Sequence, residues 1–325
     1  MSEAASNGLW PGAEPQQCPR CGYGGFAVLL AAGDRLYGTT SRRFHLVECA
    51  RCGLMRLDPR PQGEELAQFY PETYWWTPES SAAGRLEDLY RRIVLSDHVR
   101  FVRAGLEDRT PVLDVGCGGG SFLSALARRG VAAFGLDNSP RAAGVAWLHH
   151  AVPVACGSLD SAPFAPETFG GITMFHLLEH LADPQRCLRA AHRLLRGDGR
   201  LYVQVPNASC WQFLLLGDRW SGLDAPRHLI HFRAEDLEGL LVQCGFRPLR
   251  KKFFSLRDNP AGLATSLAPQ LEPMSRRVRG APESAAVRLL KDFAYLAVVM
   301  ASLPFTALEA AAGAGSTILI EAAKP

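Results

Sequence analysis

Net charge of either sign is almost absent from this sequence. Across 325 residues, 35 Lys and Arg stand against 32 Asp and Glu, a formal net charge of +3. A protein that grips nucleic acid needs a concentrated basic face to displace counterions from phosphates, so nucleic acid is excluded as a partner. The chain does not open on a basic segment followed by an apolar run, so no secretory signal is expected. The nine cysteines do not follow a disulfide framework. In a chain this long without a signal they read as metal ligands and reduced core thiols, and a cytoplasmic location is expected. Internal repeats and low-complexity segments are also absent. What remains is ordinary for a globular protein, with 47% hydrophobic and 21% charged residues. That is enough apolar material for a sizeable core, in roughly two domains by length.

The chain divides by pattern. Residues 1–17 read as a flexible tail and 18–58 as a module holding two CxxC pairs. Residues 59–110 read as a helical connector, with aromatics at Phe69, Tyr70, Tyr74, Trp75 and Trp76. From Pro111 to the end the pattern is that of one larger domain, 111–325. VLDVG is a short buried strand and SFLSALARRG an amphipathic helix. VAAFGLD is a second strand. A helix follows, with Ser139 as its cap and Pro140 in its first position. GGITMF and GRLYVQVPN are further strands, while PQRCLRAAHRLLRGDG and AEDLEGLLVQCGF are helices. Strands alternating with helices imply an α/β fold, a doubly wound and mostly parallel sheet covered on both faces.

Between the first strand and the first helix lies Asp114-Val115-Gly116-Cys117-Gly118-Gly119-Gly120. Glycines there permit a tight turn and let a ligand touch the backbone. Successive backbone N–H groups can meet a carboxylate or phosphate. A dinucleotide fingerprint would need glycine at position 121, where this chain has Ser121. Instead an acid stands two residues before GxGxG, and Asp137 ends the next strand. A carboxylate there can accept hydrogen bonds from both ribose hydroxyls, with Asn138 beside it. Asp114 lies where it can engage the amino-acid end of a ligand.

On these residues the chain resembles the class I methyltransferases that use S-adenosylmethionine (SAM). The resemblance covers about residues 85–255 and implies a seven-stranded Rossmann-like sheet. It makes Asp114, Gly116, Cys117, Gly118, Gly120, Asp137 and Asn138 cofactor residues. Cys156-Gly157-Ser158-Leu159-Asp160 and PFAPETFGGITMFHLLEHLADP look like later motifs of that family. They imply that Ser158 and Leu159 lie beside adenine and His176 beside the methyl donor. Gly170 stands where the family usually has Asp. The LEH-x-x-DP segment is similar to that of ubiquinone-pathway O-methyltransferases and of sugar and natural-product enzymes. Some of the former place a metal on E-x-x-E-H, and here the first position is His176.

Cys18-Pro19-Arg20-Cys21-Gly22 and Cys49-Ala50-Arg51-Cys52-Gly53 form two knuckles. Two-residue gaps let both sulfurs of each pair reach one tetrahedral ion, and four thiolates leave no open position. Structural zinc on Cys18, Cys21, Cys49 and Cys52 is expected, in a small ribbon whose intervening stretch is a hairpin turning at Gly33-Asp34. Paired N-terminal CxxC modules also occur in deoxysugar C-methyltransferases, which this chain resembles in overall order. That comparison points to sugars or tailored natural products as acceptors.

Methyl transfer to an unactivated hydroxyl or carbon acid needs a base, and histidine suits that role near neutral pH. The candidates are His176, His180 and His228. APRHLIHF resembles the H-E-H-Y-S-Y-F stretch of the sugar enzymes, in which the second histidine handles the acceptor proton; His228 is the match. Arg227 replaces the glutamate of that pattern and is placed to hold an anionic acceptor. On a helix, His176 and His180 would share a face.

An insertion at about 257–312 opens with Arg276, Arg277, Arg279 and Arg288 and contains FAYLAVVMASLPFTAL, residues 293–308. Sixteen residues interrupted by Pro304 are short for a bilayer. The segment reads as a helix capping the active site or forming a homodimer face, or as a peripheral membrane contact with basic flanks. The expected activity is methyl transfer from SAM to a small-molecule acceptor, on oxygen or carbon. The rivals are an NAD-dependent sugar enzyme, disfavoured by Ser121, and an inactive SAM-fold binding module.

Overall fold

A computed structural model describes residues 16–71, 82–107, 110–280 and 282–325. Most of the expected tail, and Tyr74, Trp75 and Trp76, lie outside the described residues. The N-terminal module is a hairpin of β1 (Phe26–Gly33) and β2 (Arg43–Cys49), followed by β3 (Met55–Asp58). The hairpin runs from Phe26 opposite Cys49 to Gly33 opposite Arg43. Its long turn is organised by Asp34, whose carboxylate accepts from the backbone N–H groups of Tyr37 (3.0 Å) and Thr39 (2.8 Å).

After α1 (Gly63–Ala67) and α2 (Ala82–Arg103) comes the larger domain. It runs β4 (Val112–Val115), α3 (Ser121–Ala127), β5 (Ala133–Asp137), α4 (Pro140–His150), β6 (Val154–Cys156), β7 (Phe169–Phe175), α5 (Pro184–Leu194), β8 (Leu195–Pro206) and α6 (Trp211–Leu216). It continues with β9 (Ile230–His231), α7 (Ala234–Gln243), β10 (Arg247–Lys252), α8 (Asp258–Leu267), α9 (Pro273–Arg279), α10 (Ala285–Ala311) and β11 (Thr317–Ala323). The seven-stranded sheet has the order β10-β11-β8-β7-β4-β5-β6, with β11 antiparallel to both neighbours. This is the expected doubly wound, mostly parallel sheet. Its inner strands are buried, β4 along its whole length, because helices cover both faces.

The Ser139 cap acts as read. Ser139 caps α4 by accepting from Ala142 N–H, and Asp183 caps α5 by accepting from Arg186 N–H at 3.0 Å. One boundary differs. The helix expected through Arg196-Gly197-Asp198-Gly199 ends at Leu194, because Leu195 is already extended and Asp198 adopts a left-handed φ of 59°. Those residues form the irregular start of β8.

The small sheet has the order β1-β2-β3-β9, so its fourth strand comes from the larger domain. Met55 pairs with His231 and Arg56 with Ile230. One apolar core runs through both, joining Cys18, Cys49 and Leu54 to Leu229, Ile230 and the sheet residues Leu113, Ile172 and Val203.

The insertion is α8, α9 and α10. Rather than being a buried cap, α10 exposes Leu289, Leu290, Phe293, Leu296, Met300 and Leu308. Its inner side packs on α8, where Thr265 Oγ1 and Tyr295 Oη lie 2.9 Å apart. At 27 residues it is longer than the apolar stretch suggested. Among the described residues it alone is long and apolar enough to cross a membrane by length and composition.

Candidate active site

The glycine loop sits at the carboxyl end of β4, between β4 and α3. Gly116, Gly118 and Gly120 all have left-handed φ values (75°, 53° and 77°), which side-chain-bearing residues rarely adopt. A Cβ at Gly120 would come within 2.7 Å of Ala146 Cβ, and one at Gly116 within 3.1 Å of Leu177 Cδ1. At Gly118 a Cβ would meet nothing within 4 Å, so the backbone there is open to a ligand.

Asp137, at the end of β5, accepts from Gly118 N–H and Ser139 N–H, both at 2.8 Å. Burial pushes its carboxyl up despite these bonds. Asp114 accepts from Thr173 Oγ1–H at 2.6 Å, and burial pushes it up to about 7. Ser158 and Asn138 are exposed near the same strand ends, whereas Leu159 is buried in the core. Cys117 is also buried, and desolvation pushes its thiol up, which suits a spacer rather than a nucleophile. At Gly170 an added Cβ would lie 2.2 Å from Thr110 Cγ2, so the acid usual at that position has no room.

The histidines lie on the next strand end. His176 follows β7 at φ 53°, so the chain kinks there and His176 and His180 do not share a helix face. Only Leu178–His180 make a 3-10 turn. His176 Nδ1 lies 3.2 Å from Glu179 Oε1 and its Nε2 lies 3.5 Å from Asp258 Oδ1. Burial opposes protonation, but Asp258 and Glu179 push His176 up to about 9. Gln204 joins this group, with its amide nitrogen 2.7 Å from Asp258 Oδ2 and its oxygen 2.8 Å from His98 Nε2.

His180 Nδ1 lies 3.1 Å from the Arg227 carbonyl and 2.9 Å from the Tyr70 hydroxyl. Burial, then His228, push its pKa down to about 4, so the ring is neutral near pH 7. A carbonyl can only accept, so Nδ1 carries the proton and Nε2 a lone pair. His228 repeats this arrangement: Nδ1–H donates to the Gly222 carbonyl at 2.8 Å. The two rings meet edge to face with centroids 4.7 Å apart. His231 instead donates from Nε2 to the Leu223 carbonyl at 3.0 Å and stays buried in the join between the two domains.

Glu179 completes the group. It is buried, and its Oε2 has no hydrogen-bond partner among the described residues. Glu179, His180 and His228 each bring a ligand atom within 4.8 Å of the others, a set that could hold a cation. His176, the first position of the E-x-x-E-H comparison, is instead tied to Asp258. Arg227 does not face an acceptor. Its guanidinium is fully buried between Asp34 and Asp224, at 2.8 Å and 2.7 Å, so the expectation that it holds an anionic acceptor is corrected.

In the N-terminal module the sulfurs of Cys18 and Cys52, and of Cys21 and Cys49, are 3.6 Å apart, and all four lie within 4.8 Å of one another. A tetrahedron with metal–sulfur bonds of about 2.3 Å has edges of about 3.8 Å. Gly22 N–H and Gly53 N–H each donate to the first cysteine carbonyl of their knuckle at 2.9 Å.

Sequence reasoning missed Tyr70, His98, Gln204, Asp258 and Asp34. Tyr70 stood in a noted aromatic run; the others carry no local signal.

Residues 87–251, about half of the chain, match the family model described as Methyltransferase domain. The chain is similar to the ubiquinone biosynthesis O-methyltransferase of Pseudomonas paraeruginosa, with 32% identity over 178 residues, covering 52% of this chain and 75% of the relative. The enzyme of the same name from Idiomarina loihiensis is 29% identical and shares 51% and 68% of the two lengths. Among solved structures, the [4+2]-cyclase SpnF is 22% identical at TM-score 0.49, covering 82% of this chain and 97% of that one. A SAM-dependent methyltransferase from Archaeoglobus fulgidus is 18% identical at TM-score 0.47, covering 75% and all of that chain.

Proposed function

For this chain, which belongs to the class I SAM-dependent methyltransferases, we propose that His228 takes the proton from a small hydroxyl or carbon-acid acceptor as the methyl group is transferred. Methyl transfer to a small molecule is the family's activity, and membership sets aside the NAD and inactive-module readings. Bound SAM supplies an electrophilic methyl on a sulfonium. The loop residues Asp114, Gly116, Cys117, Gly118, Gly120, Asp137 and Asn138 are the proposed cofactor cradle, with Ser158 and Leu159 at its adenine end and His176 near the methyl end.

The observation that carries the base assignment is the 2.8 Å bond from His228 Nδ1–H to the Gly222 carbonyl, which leaves Nε2 as the nitrogen that would accept. His180, held the same way by Arg227, is the alternative base. The test is methyl transfer from radiolabelled SAM to a panel of simple phenols and nucleotide-linked keto sugars. A positioned base is worth roughly 10²–10⁴ in rate, so His228→Ala should lose that much turnover at unchanged SAM affinity. A loss under about threefold, with His180→Ala showing the large loss, would transfer the role to His180. A second reading, a divalent cation on Glu179, His180 and His228, is favoured by their spacing. In that case EDTA abolishes turnover and added Mg²⁺ or Mn²⁺ restores it.

We further propose one structural zinc on Cys18, Cys21, Cys49 and Cys52, supported by the sulfur spacing. A cytoplasmic location is proposed, with the exposed face of α10, including residues 293–308, meeting a membrane surface or a second copy of the chain.

A further inference from the structure

The contact that joins the N-terminal hairpin to the histidine loop is a buried ion cluster. Arg227 and Asp34 both have fully buried side chains. The guanidinium meets Asp34 through two parallel bonds, Nη2 to Oδ1 at 2.8 Å and Nη1 to Oδ2 at 3.1 Å. On its other side Nη2 and Nε reach Asp224 at 2.7 Å and 3.2 Å, and Nη1 reaches the Phe69 carbonyl at 3.5 Å. The Tyr37 ring lies 4.3 Å beneath it. Asp34 is held in turn by the Tyr37 and Thr39 N–H groups and by Thr39 Oγ1–H at 2.5 Å. A planar fork bound bidentately on one side and again on the other has little freedom to rotate.

What this cluster fixes lies on the backbone of the same residue. The Arg227 carbonyl accepts the His180 Nδ1 proton, and the next residue is His228. Arg227 N–H and His228 N–H both donate to the Asp224 carbonyl, at 2.9 Å and 3.1 Å. Leu229 N–H donates to the Glu179 carbonyl at 2.7 Å, and the Leu229 carbonyl accepts from Leu57 N–H of β3. Moving the Arg227 side chain therefore moves the partner of one histidine and the backbone of the other.

We propose that Asp34, in the hairpin turn of the N-terminal module, is a positioning residue for the acceptor site, setting the places of His180 and His228 through Arg227. The module is thus a wall of the active site rather than an appendage. The inference rests on the reading that these histidines serve the acceptor, but its test does not need an acceptor.

The test uses the full chain with its metal content measured, labelled with ¹³C,¹⁵N-histidine. Ring signals are assigned from His180→Gln, His228→Gln and His98→Gln. Asp34→Asn, which removes the charge and keeps the shape, should shift the His180 and His228 ring signals. His98, bonded to Gln204 on the other side of the site, and the affinity for SAM should stay as in the wild type. Asp34→Glu, which keeps the charge, should bring the two signals part of the way back. Unmoved His180 and His228 signals in a folded Asp34→Asn protein would overturn the proposal, and so would an equal shift of His98. If Asp34→Asn does not fold, Thr39→Ala, which loosens Asp34 without stranding a charge, decides by the same signals. If both rings move while His228→Ala leaves methyl transfer intact, the positioning stands and the base assignment fails.

Discussion

Replacing Asp137 by Ala tests the cofactor cradle most directly. In the fold its two oxygens accept from Gly118 N–H and Ser139 N–H at 2.8 Å, and the side chain is only 7% exposed. Each carboxylate oxygen keeps a second lone pair, which is what two ribose hydroxyls require. A hydrogen bond to a charged group contributes about 1.5–3 kcal/mol, against about 0.5–1.5 for a neutral pair. Partial replacement by water sets the expected loss of SAM affinity at about 1–3 kcal/mol, or about 5- to 150-fold in Kd. The variant also frees Gly118 N–H, so some loss would come from a looser loop. A double-mutant cycle separates the two terms. Calorimetry is run on wild type and Asp137→Ala, each with SAM and with an analogue lacking the ribose hydroxyls. The wild type should bind the analogue more weakly, while the variant should barely distinguish the two ligands. Unchanged SAM affinity in the variant, or equal discrimination by both proteins, would refute the ribose role.

Other perturbations follow from the same geometry. Asp114 is pushed from 3.8 to about 7 by burial, so the stability it contributes is complete below about pH 4 and is lost as pH rises through 7. Thermal unfolding of the cofactor-free chain should therefore flatten over that range in Asp114→Asn, and SAM affinity in the wild type should rise with pH as the carboxyl ionises; no change in either slope would count against it. Cys49→Ser should lose about one zinc per chain by metal analysis and destabilise the N-terminal module while SAM still binds; a reduced wild-type preparation without zinc would refute the metal assignment. Phe293→Glu with Leu290→Glu places charge on the exposed face of α10 and should reduce pelleting with anionic vesicles or move the elution volume toward a smaller species. If neither changes, that face has neither partner.

The parts of the site that could be read from sequence are those whose chemistry is local in the chain. A nucleotide loop needs glycines where φ turns positive, and the GxGxG run supplies them at 116, 118 and 120. Two CxxC knuckles can share one metal site only if they converge, and the hairpin brings Cys21 to Cys49. Caps at Ser139 and Asp183 act within three residues. The rest depends on pairs far apart in sequence. Arg227 meets Asp34 across 193 residues, and His98 meets Gln204 across 106. No spacing rule encodes those meetings, so the sequence places Arg227 to hold an anionic acceptor when its side chain is fully buried against Asp34. β9 is two residues long, too short for any periodicity, yet it joins the two sheets. At Gly170 the family's usual acid is missing because Thr110 fills the space its side chain would need.

The charges around the histidines fit proton transfer beside a sulfonium. An acceptor that took a methyl group from bound SAM would have to shed a proton to avoid carrying positive charge, and His228 or His180 would hold that proton. A neutral imidazole can take that proton, whereas an imidazolium cannot. His180 is held neutral near pH 7 by burial and by His228, and His228 has its Nδ1 engaged by the Gly222 carbonyl. His176, by contrast, is pushed toward the charged form by Asp258 and Glu179, so it is a poor base. The imidazolium formed on His228 or His180 would need a counter-charge in a buried space. Glu179 stands ready for it, a buried carboxylate whose Oε2 no group among the described residues engages. Replacing Glu179 by Gln would keep the shape and the His176 contact but remove that charge. The same unengaged oxygen would serve a divalent cation equally well. The base and metal readings therefore compete for one carboxylate, and the response of turnover to EDTA distinguishes them.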